Sequence, residues 1–282
     1  MQSPDDNLEE LVSIVQGIAT RKSIEAAIKV HIAVLKGKAL RKAIADALSG
    51  AEKLSADERR FVAFAASELS RHLRRIDLSI KARGFGGSDF QLTEDRALFQ
   101  YSIWRRDLTR ASVDEVLSET KLPGPVRPRS LADAFIAAEI AREVIVDFGD
   151  RSIDRLANLY SFPTWLVEKI AASVPESELE SLLRALNVEP GPLTRSQFLA
   201  TVYDATADVV MIQPPCSNTG MLGREPDQKW RLTPKRISEL CQNQLKLLSD
   251  AASKMKPGTV LIYGTSSVLA DENESVVGQF ST

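Results

Sequence analysis

From Leu8 to about Thr120 the apolar residues recur at three- and four-residue intervals, the spacing that gathers them on one face of an α-helix. Leu11, Ile14, Val15 and Ile18 make one stripe, and Ile24, Ile28, Ile32 and Leu35 make another. The best-marked helix opens at Ser55. There Ser55 and Glu58 form a capping box, and the stripe Val62, Ala65, Leu69, Leu73, Ile76, Ile80 follows without interruption. The glycines of Gly84-Phe85-Gly86-Gly87 end it, and because they follow a helix rather than a strand they read as a loop, not a phosphate cradle. A further helix is predicted from Glu94 to Leu108. Leu122-Pro123-Gly124-Pro125-Val126-Arg127-Pro128 is a linker, its prolines fixing φ and removing backbone donors. Helical spacing then returns over Leu131–Phe148, Ile153–Tyr160, Thr164–Ala172 and Glu176–Leu186, as far as Glu189-Pro190-Gly191-Pro192.

Beyond that boundary the period changes. Ala207–Ile212 is a short apolar run closed by Pro214-Pro215 and reads as a buried strand, and Thr259–Tyr263 reads as a second. Between them Pro234–Met255 predicts a long helix with proline in its first turn. Strand, helix and strand in this order make a right-handed parallel crossover. One such unit cannot cover both faces of its sheet or close its edges, so further helices or a partner chain are expected over it.

Composition narrows the chemistry. The 282 residues are 44% apolar and 26% charged, enough for two globular domains. A net charge of −2 gives no overall attraction to nucleic acid, so any such affinity requires a local patch. Cys216 and Cys241 are too few for a disulfide framework and suit a reducing compartment. With only His31 and His72, a histidine metal site and a Ser-His-Asp triad are both disfavoured. The polar, acidic start Met1–Asp6 does not predict a signal peptide, and no apolar run approaches the ~20 residues a membrane helix needs. A soluble, cytoplasmic protein without metal or membrane partners is expected.

Ordered motifs in the last third carry more. They run Pro215-Cys216-Ser217-Asn218-Thr219-Gly220, Pro226-Asp227-Gln228-Lys229-Trp230-Arg231-Leu232-Thr233-Pro234, Gln244-Leu245-Lys246-Leu247-Leu248, Lys256-Pro257-Gly258, Tyr263-Gly264-Thr265-Ser266-Ser267 and Glu272-Asn273-Glu274. In that order they resemble the catalytic half of the RsmB/NOP family of RNA cytosine-5 methyltransferases. The first half is similar to the same family more loosely. Leu54–Arg60 followed by Arg74-Arg75-Ile76-Asp77 resembles the core helix of the NusB-like domain that bacterial members carry, and Ser161–Lys169, Leu182–Asn187 and Pro192–Arg195 continue the likeness.

The resemblance implies a cysteine nucleophile that adds to carbon 6 of cytosine, with S-adenosylmethionine as methyl donor. Ser266 stands where that cysteine belongs, and a hydroxyl there needs a strong neighbouring base that no nearby histidine supplies. Gln213 stands where the family has an acidic base-contacting residue, and an amide cannot supply its negative charge. The family's glycine-rich cofactor segment has no counterpart, since the interval from Arg195 to Ala207 is far shorter than one βαβ unit. The chain also ends at Thr282, soon after the Glu-Asn-Glu motif, without the family's terminal hairpin. No cofactor is therefore expected in this chain. Cys216, tied in the family to product release, reads either as a remnant of that role or as a small buried residue at a strand end; Cys241 reads as core.

Basic residues remain. Arg59, Arg60, Arg71, Arg74, Arg75, Lys81 and Arg83 cluster on and after one helix, with Arg105, Arg106 and Arg110 near the end of the next. A solvated helix face and a contact surface for structured RNA fit this pattern equally well. In the RNA reading Arg71, Arg74, Arg75, Lys81, Arg83 and Lys229 are the candidate phosphate contacts.

The expected fold is mostly α. A NusB-like helical domain occupies residues 1–122, a helical linker subdomain 123–192, and a truncated Rossmann-type α/β methyltransferase remnant 193–282. The expected function is RNA binding, with small-subunit rRNA as a candidate target, by a catalytically inactive homologue. The alternatives are an active enzyme that borrows its cofactor half from a partner chain, or uses Ser266 as nucleophile, and a NusB-like protein-interaction module.

Overall fold

Thr20 and Ser55 show how locally the helices of this chain are started. In the computed structural model each hydroxyl accepts the backbone N–H three residues on, and Ser23 and Glu58 return a bond to the cap N–H, so the predicted box at Ser55 forms. The structure describes residues 19–50, 54–86, 90, 92–120, 133–150, 152–188 and 208–282. The stripe Leu11–Ile18, the Leu122–Pro128 linker, the Glu189–Pro192 boundary, the interval from Arg195 to 207 and the expected domain borders at 122/123 and 192/193 lie outside the described residues. The chain divides into two units: residues 1–164 with 225–227, and residues 165–224 with 228–282.

The first unit is helical: α1 (Arg21–Leu35), α2 (Leu40–Gly50), α3 (Ala56–Arg71), α4 (Leu73–Ala82), α5 (Thr93–Ile103), α6 (Val113–Thr120), α7 (Asp133–Ala141) and α8 (Ser152–Leu159). Helices α1 and α3 each bury two faces. Ile24, Ala27 and Ile28 meet Phe61, Ala65 and Leu69 in one cluster, while Ala26 and Val30 meet Val62 and Ala66 in another. Helix α5 is buried on all sides, as its run Ala97-Leu98-Phe99, Tyr101 and Ile103 requires.

Three sequence expectations change here. The single helix from Ser55 is two, because His72 leaves helical geometry (φ −105°, ψ 15°). The Arg74 N–H at the start of α4 finds a partner in the Ser161 hydroxyl at 2.9 Å, which periodicity alone does not reveal. The Glu94–Leu108 helix begins at Thr93 and closes in a π-helical turn over Trp104–Leu108, with the Thr109 N–H donating to the Trp104 carbonyl. The 131–148 helix stops at Ala141, and Ile145, which extended its apolar pattern, is 95% exposed. Gly84 ends α4 as expected, at φ +91° in a Schellman motif whose Phe85 N–H reaches the Ile80 carbonyl.

The second unit holds α9 (Thr164–Ala171) apart from its first residue, α10 (Glu176–Ala185), β1 (Val209–Ile212), α11 (Gln228–Arg231), α12 (Pro234–Ala252), β2 (Val260–Tyr263) and α13 (Glu274–Phe280). The predicted crossover is present. Strands β1 and β2 pair in parallel, Val209 opposite Val260 and Ile212 opposite Tyr263, with α12 between them in sequence. The Thr233 hydroxyl caps α12 and Pro234 takes its first position. One face of the sheet, with Val210, Ile212, Leu261 and Tyr263, packs with Leu248 and Ala251 of α12 and Val276 of α13. The strands are not buried on both sides, however. Val209, Met211, Val260 and Ile262 on the opposite face are 41–56% exposed, as a lone crossover unit requires.

Candidate functional site

The two loops that leave the carboxyl ends of β1 and β2 carry the site. In the first, Asn218 adopts a left-handed conformation (φ 55°), which its short polar side chain tolerates, and starts a 3-10 turn over Thr219–Met221. That turn brings Gly220 against the second loop, where its N–H donates to the Ser266 carbonyl at 2.9 Å. A Cβ at Gly220 would lie 2.9 Å from that same oxygen, so the loops approach this closely only with glycine there. The Thr219 hydroxyl accepts the Val268 N–H at 3.0 Å and completes the stitch.

Cys216 and Ser266 therefore meet. The Ser266 backbone N–H donates to Cys216 Sγ at 3.4 Å, and the thiol faces Asn218 Oδ1 at 3.3 Å. Cys216 is half-buried rather than enclosed, contrary to the reading of it as a buried strand-end residue. Among the described residues no base forms a hydrogen bond with the Ser266 hydroxyl, and Gln213 is exposed. His31 and His72 both belong to the first unit. Cys241 packs beside the sheet core with its thiol on the Asp271 carbonyl, and burial raises its pKa.

Beneath the loops lies a buried carboxylate that the sequence did not single out for this role. Glu272 is fully enclosed and accepts the Ser217 N–H at 2.9 Å, the Ser217 hydroxyl, and the Gln244 amide at 3.0 Å. Asn273 next to it donates to the carbonyls of Ser267 and Leu269 and accepts the Thr265 hydroxyl. Adjacent residues of one short segment thus hold both loops. The Glu-Asn-Glu motif contained the signal, but only the fold places it under Cys216. Burial next to Glu272 also pushes the Tyr263 hydroxyl, which donates to the Glu272 carbonyl, above its usual range.

A cleft of about 500 Å³ opens beside Cys216 and Asn218, with Arg231 of α11 and Lys235, Arg236 and Glu239 of α12 also in its lining. These basic residues are exposed, whereas several predicted phosphate contacts are not. Arg71 is 4% exposed and bonded to Glu68. Arg83 is 3% exposed, forks onto Asp107 at 2.9 and 3.0 Å, and donates to the Ser79, Glu139 and Arg142 carbonyls. Lys229 is 1% exposed, with Nζ on Asn187 Oδ1 and 5.6 Å from the centre of the Trp230 ring. Arg74 is half-buried and donates to Asn158, Thr164 and the Phe162 carbonyl. Their donors are engaged within the protein, and phosphate would have to displace those partners. Arg75 is half-buried and Lys81 exposed. Arg105, a further member of the basic cluster, is enclosed in a bidentate pair with Glu119. Among the described residues there is no cluster able to hold a metal ion, and no helix long and apolar enough to cross a membrane.

Comparison with known proteins bears on this unit. A family described as 16S rRNA methyltransferase RsmB/F matches residues 184–281. A ribosomal RNA small subunit methyltransferase B of Erwinia tasmaniensis is 40% identical over 77 residues, and one of Yersinia pseudotuberculosis 39%. Each match covers 27% of this chain and spans 18% of the length of the relative. In fold, the chain is similar to the crystal structure of PH0851, with a TM-score of 0.65 over 93% of this chain and 89% of that one at 14% identity.

Proposed function

We propose, from the match of residues 184–281 to the RsmB/F family of rRNA methyltransferases, that the protein is an RNA-binding homologue that does not transfer methyl groups. The observation that carries the reading is Ser266. Its backbone N–H donates to Cys216 Sγ at 3.4 Å, yet no base is hydrogen-bonded to its hydroxyl among the described residues. A serine hydroxyl needs such a base to act as nucleophile, whereas a thiol reaches its reactive anion near neutral pH.

S-adenosylmethionine finds no fit among the described residues. The strands lead into the Cys216 and Ser266 loops, where Gly220 already faces the Ser266 carbonyl and the Glu272 carboxylate already holds Ser217 and Gln244. Neither loop offers a glycine-rich turn with a free carboxylate for hydroxyl recognition. Structured RNA, with small-subunit rRNA as first candidate, is the proposed partner, and the cytoplasm the proposed location. Residues 1–122 are proposed to form a NusB-like RNA-binding domain, in which the exposed Lys81 is better placed for phosphate than the enclosed Arg71 or Arg83.

The test pairs two measurements on the full chain. Transfer of labelled methyl from S-adenosylmethionine to rRNA should be absent for the wild type, while a small-subunit rRNA hairpin should bind in fluorescence anisotropy with steep salt dependence. Methylation that survives in the wild type and disappears in S266A would overturn the reading. The bare aliphatic face of the sheet favours one second reading, a protein partner that covers it and brings a cofactor-binding half. S-adenosylmethionine retained by a complex isolated from cells, but not by the chain alone, would establish that alternative.

A further inference from the structure

Helix α12 begins against an elementary electrostatic rule. Its first turn contains Lys235 and Arg236 and no acidic residue, although the amide end of a helix carries partial positive charge and favours anions. Like charges at that end destabilise the helix. The rest of the start is well made, with the Thr233 cap accepting the Arg236 N–H at 3.1 Å and proline at the first position. Natural sequences break a local rule chiefly where another requirement outweighs it.

The cleft supplies that requirement. Arg231 comes from the separate helix α11, and the three cationic side chains line one concave space of about 500 Å³ that also reaches Cys216 and Asn218. Glu239, 3.3 Å from Arg236, is the single carboxylate in the lining. Positive charge therefore exceeds negative by two inside a concavity, where low-dielectric walls strengthen the field felt by an entering anion. The cleft is too polar and too open to solvent to hold an apolar ligand.

We propose that Arg231, Lys235 and Arg236 form a phosphate-group subsite, which holds a backbone phosphate of single-stranded RNA so that the adjoining nucleotide lies at the Cys216–Asn218 wall. The proposal rests on the RNA-binding reading above and adds the residues and the chemical group. Arginine's fork suits two phosphate oxygens at once, lysine adds a point charge, and Glu239 limits the attraction by competing for Arg236. A free phosphate monoester has the same chemistry, so the experiment separates the two sources.

The probes are a fluorescein-labelled ten-nucleotide single-stranded RNA, titrated from 50 to 200 mM salt, and inorganic pyrophosphate followed by calorimetry. The full-length chain is compared with K235Q/R236Q and with E239Q. The double variant should bind the RNA roughly tenfold more weakly at low salt, with a logarithmic salt slope shallower by at least ~0.7 for each lost phosphate contact. E239Q should bind more tightly, a direction that damage to the fold would not produce. Pyrophosphate binding that is lost in the double variant, without single-strand binding by the wild type, would overturn the RNA-phosphate subsite in favour of a small-anion site, while the hairpin titration decides the RNA-binding reading by itself. RNA binding with the same affinity and salt slope in all three proteins would overturn the subsite and leave that reading standing. Binding of neither probe by the wild type would overturn the subsite, and if the rRNA hairpin also fails to bind, the RNA-binding reading falls with it.

Discussion

Glu272 offers the sharpest test of how the two loops are held. Replacing it with alanine removes a fully enclosed carboxylate and leaves three donors to be rehoused: the Ser217 N–H, the Ser217 hydroxyl and the Gln244 amide. The hydroxyl has other partners, since Thr219 and Ser267 both lie 3.2 Å from it. The Ser217 N–H and Gln244 lose an acceptor in a water-excluded place, at about 1–3 kcal/mol each, and the vacated space adds to the loss. Gln244 still donates to the Pro215 carbonyl, which trims its share. Glu272→Ala should therefore destabilise the second unit by about 4 kcal/mol. Glu272→Gln keeps the volume and one carbonyl acceptor but points an NH2 at donors, so it should fall between, at about 2 kcal/mol. Hydrogen exchange read by mass spectrometry over peptides 213–222 and 263–273 measures this locally, and the alkylation rate of Cys216 should rise in the same order as its loop loosens. Wild-type exchange, within about 0.5 kcal/mol, in both variants would refute the view that this carboxylate joins the loops.

Other outcomes follow from the same structure. Gly220→Ala should force the loops apart, since its Cβ would meet the Ser266 carbonyl at 2.9 Å, and should cost about 1–3 kcal/mol in urea unfolding. Arg83→Gln strips the bidentate pair with Asp107 from a nearly closed site and should lower the stability of the first unit by about 3 kcal/mol. If Arg83 acts in packing alone, RNA affinity of the folded variant is unchanged. Burial holds His31 at a pKa of about 4, below its ordinary 6.5, with Nε2 joined to Gln100, which links onward to Asp77 and its partner Arg96. The unfolded chain binds the proton more readily, so this contribution is complete above pH 6.5 and is lost as pH falls toward 4. It amounts to about 3 kcal/mol. His72, lowered by its own burial, adds in the same sense. His31→Gln should flatten the stability profile between pH 7 and pH 4.5, as read by urea midpoints.

Much of this protein was legible before any tertiary contact was known. The capping box at Ser55, the glycine stop at Gly84 and the proline-led helix at Pro234 depend on residues within one turn of each other, and each appears where the sequence put it. The strand–helix–strand order and the family likeness of the last third are likewise properties of order along the chain. Local determinants survive transfer from sequence to fold because their partners are sequence neighbours.

The rest was decided by residues far apart. The break at His72 depends on Ser161 waiting for the Arg74 N–H, and arginines that looked like an RNA surface are enclosed because Asp107 and Glu119 come to meet them, while Asn158 engages the half-buried Arg74. A sequence shows a charge but not whether its counter-charge arrives from elsewhere, and burial with a partner turns a surface cation into packing. The cleft is the converse case. Arg231, Lys235 and Arg236 are already neighbours in the sequence, and what the fold added is the concave space they line together with Cys216 and Asn218 of the earlier loop. Pattern along the chain located most of the elements and carried the family likeness of the last third; which charges face solvent was decided by three-dimensional packing, because electrostatics acts through space and not through sequence distance.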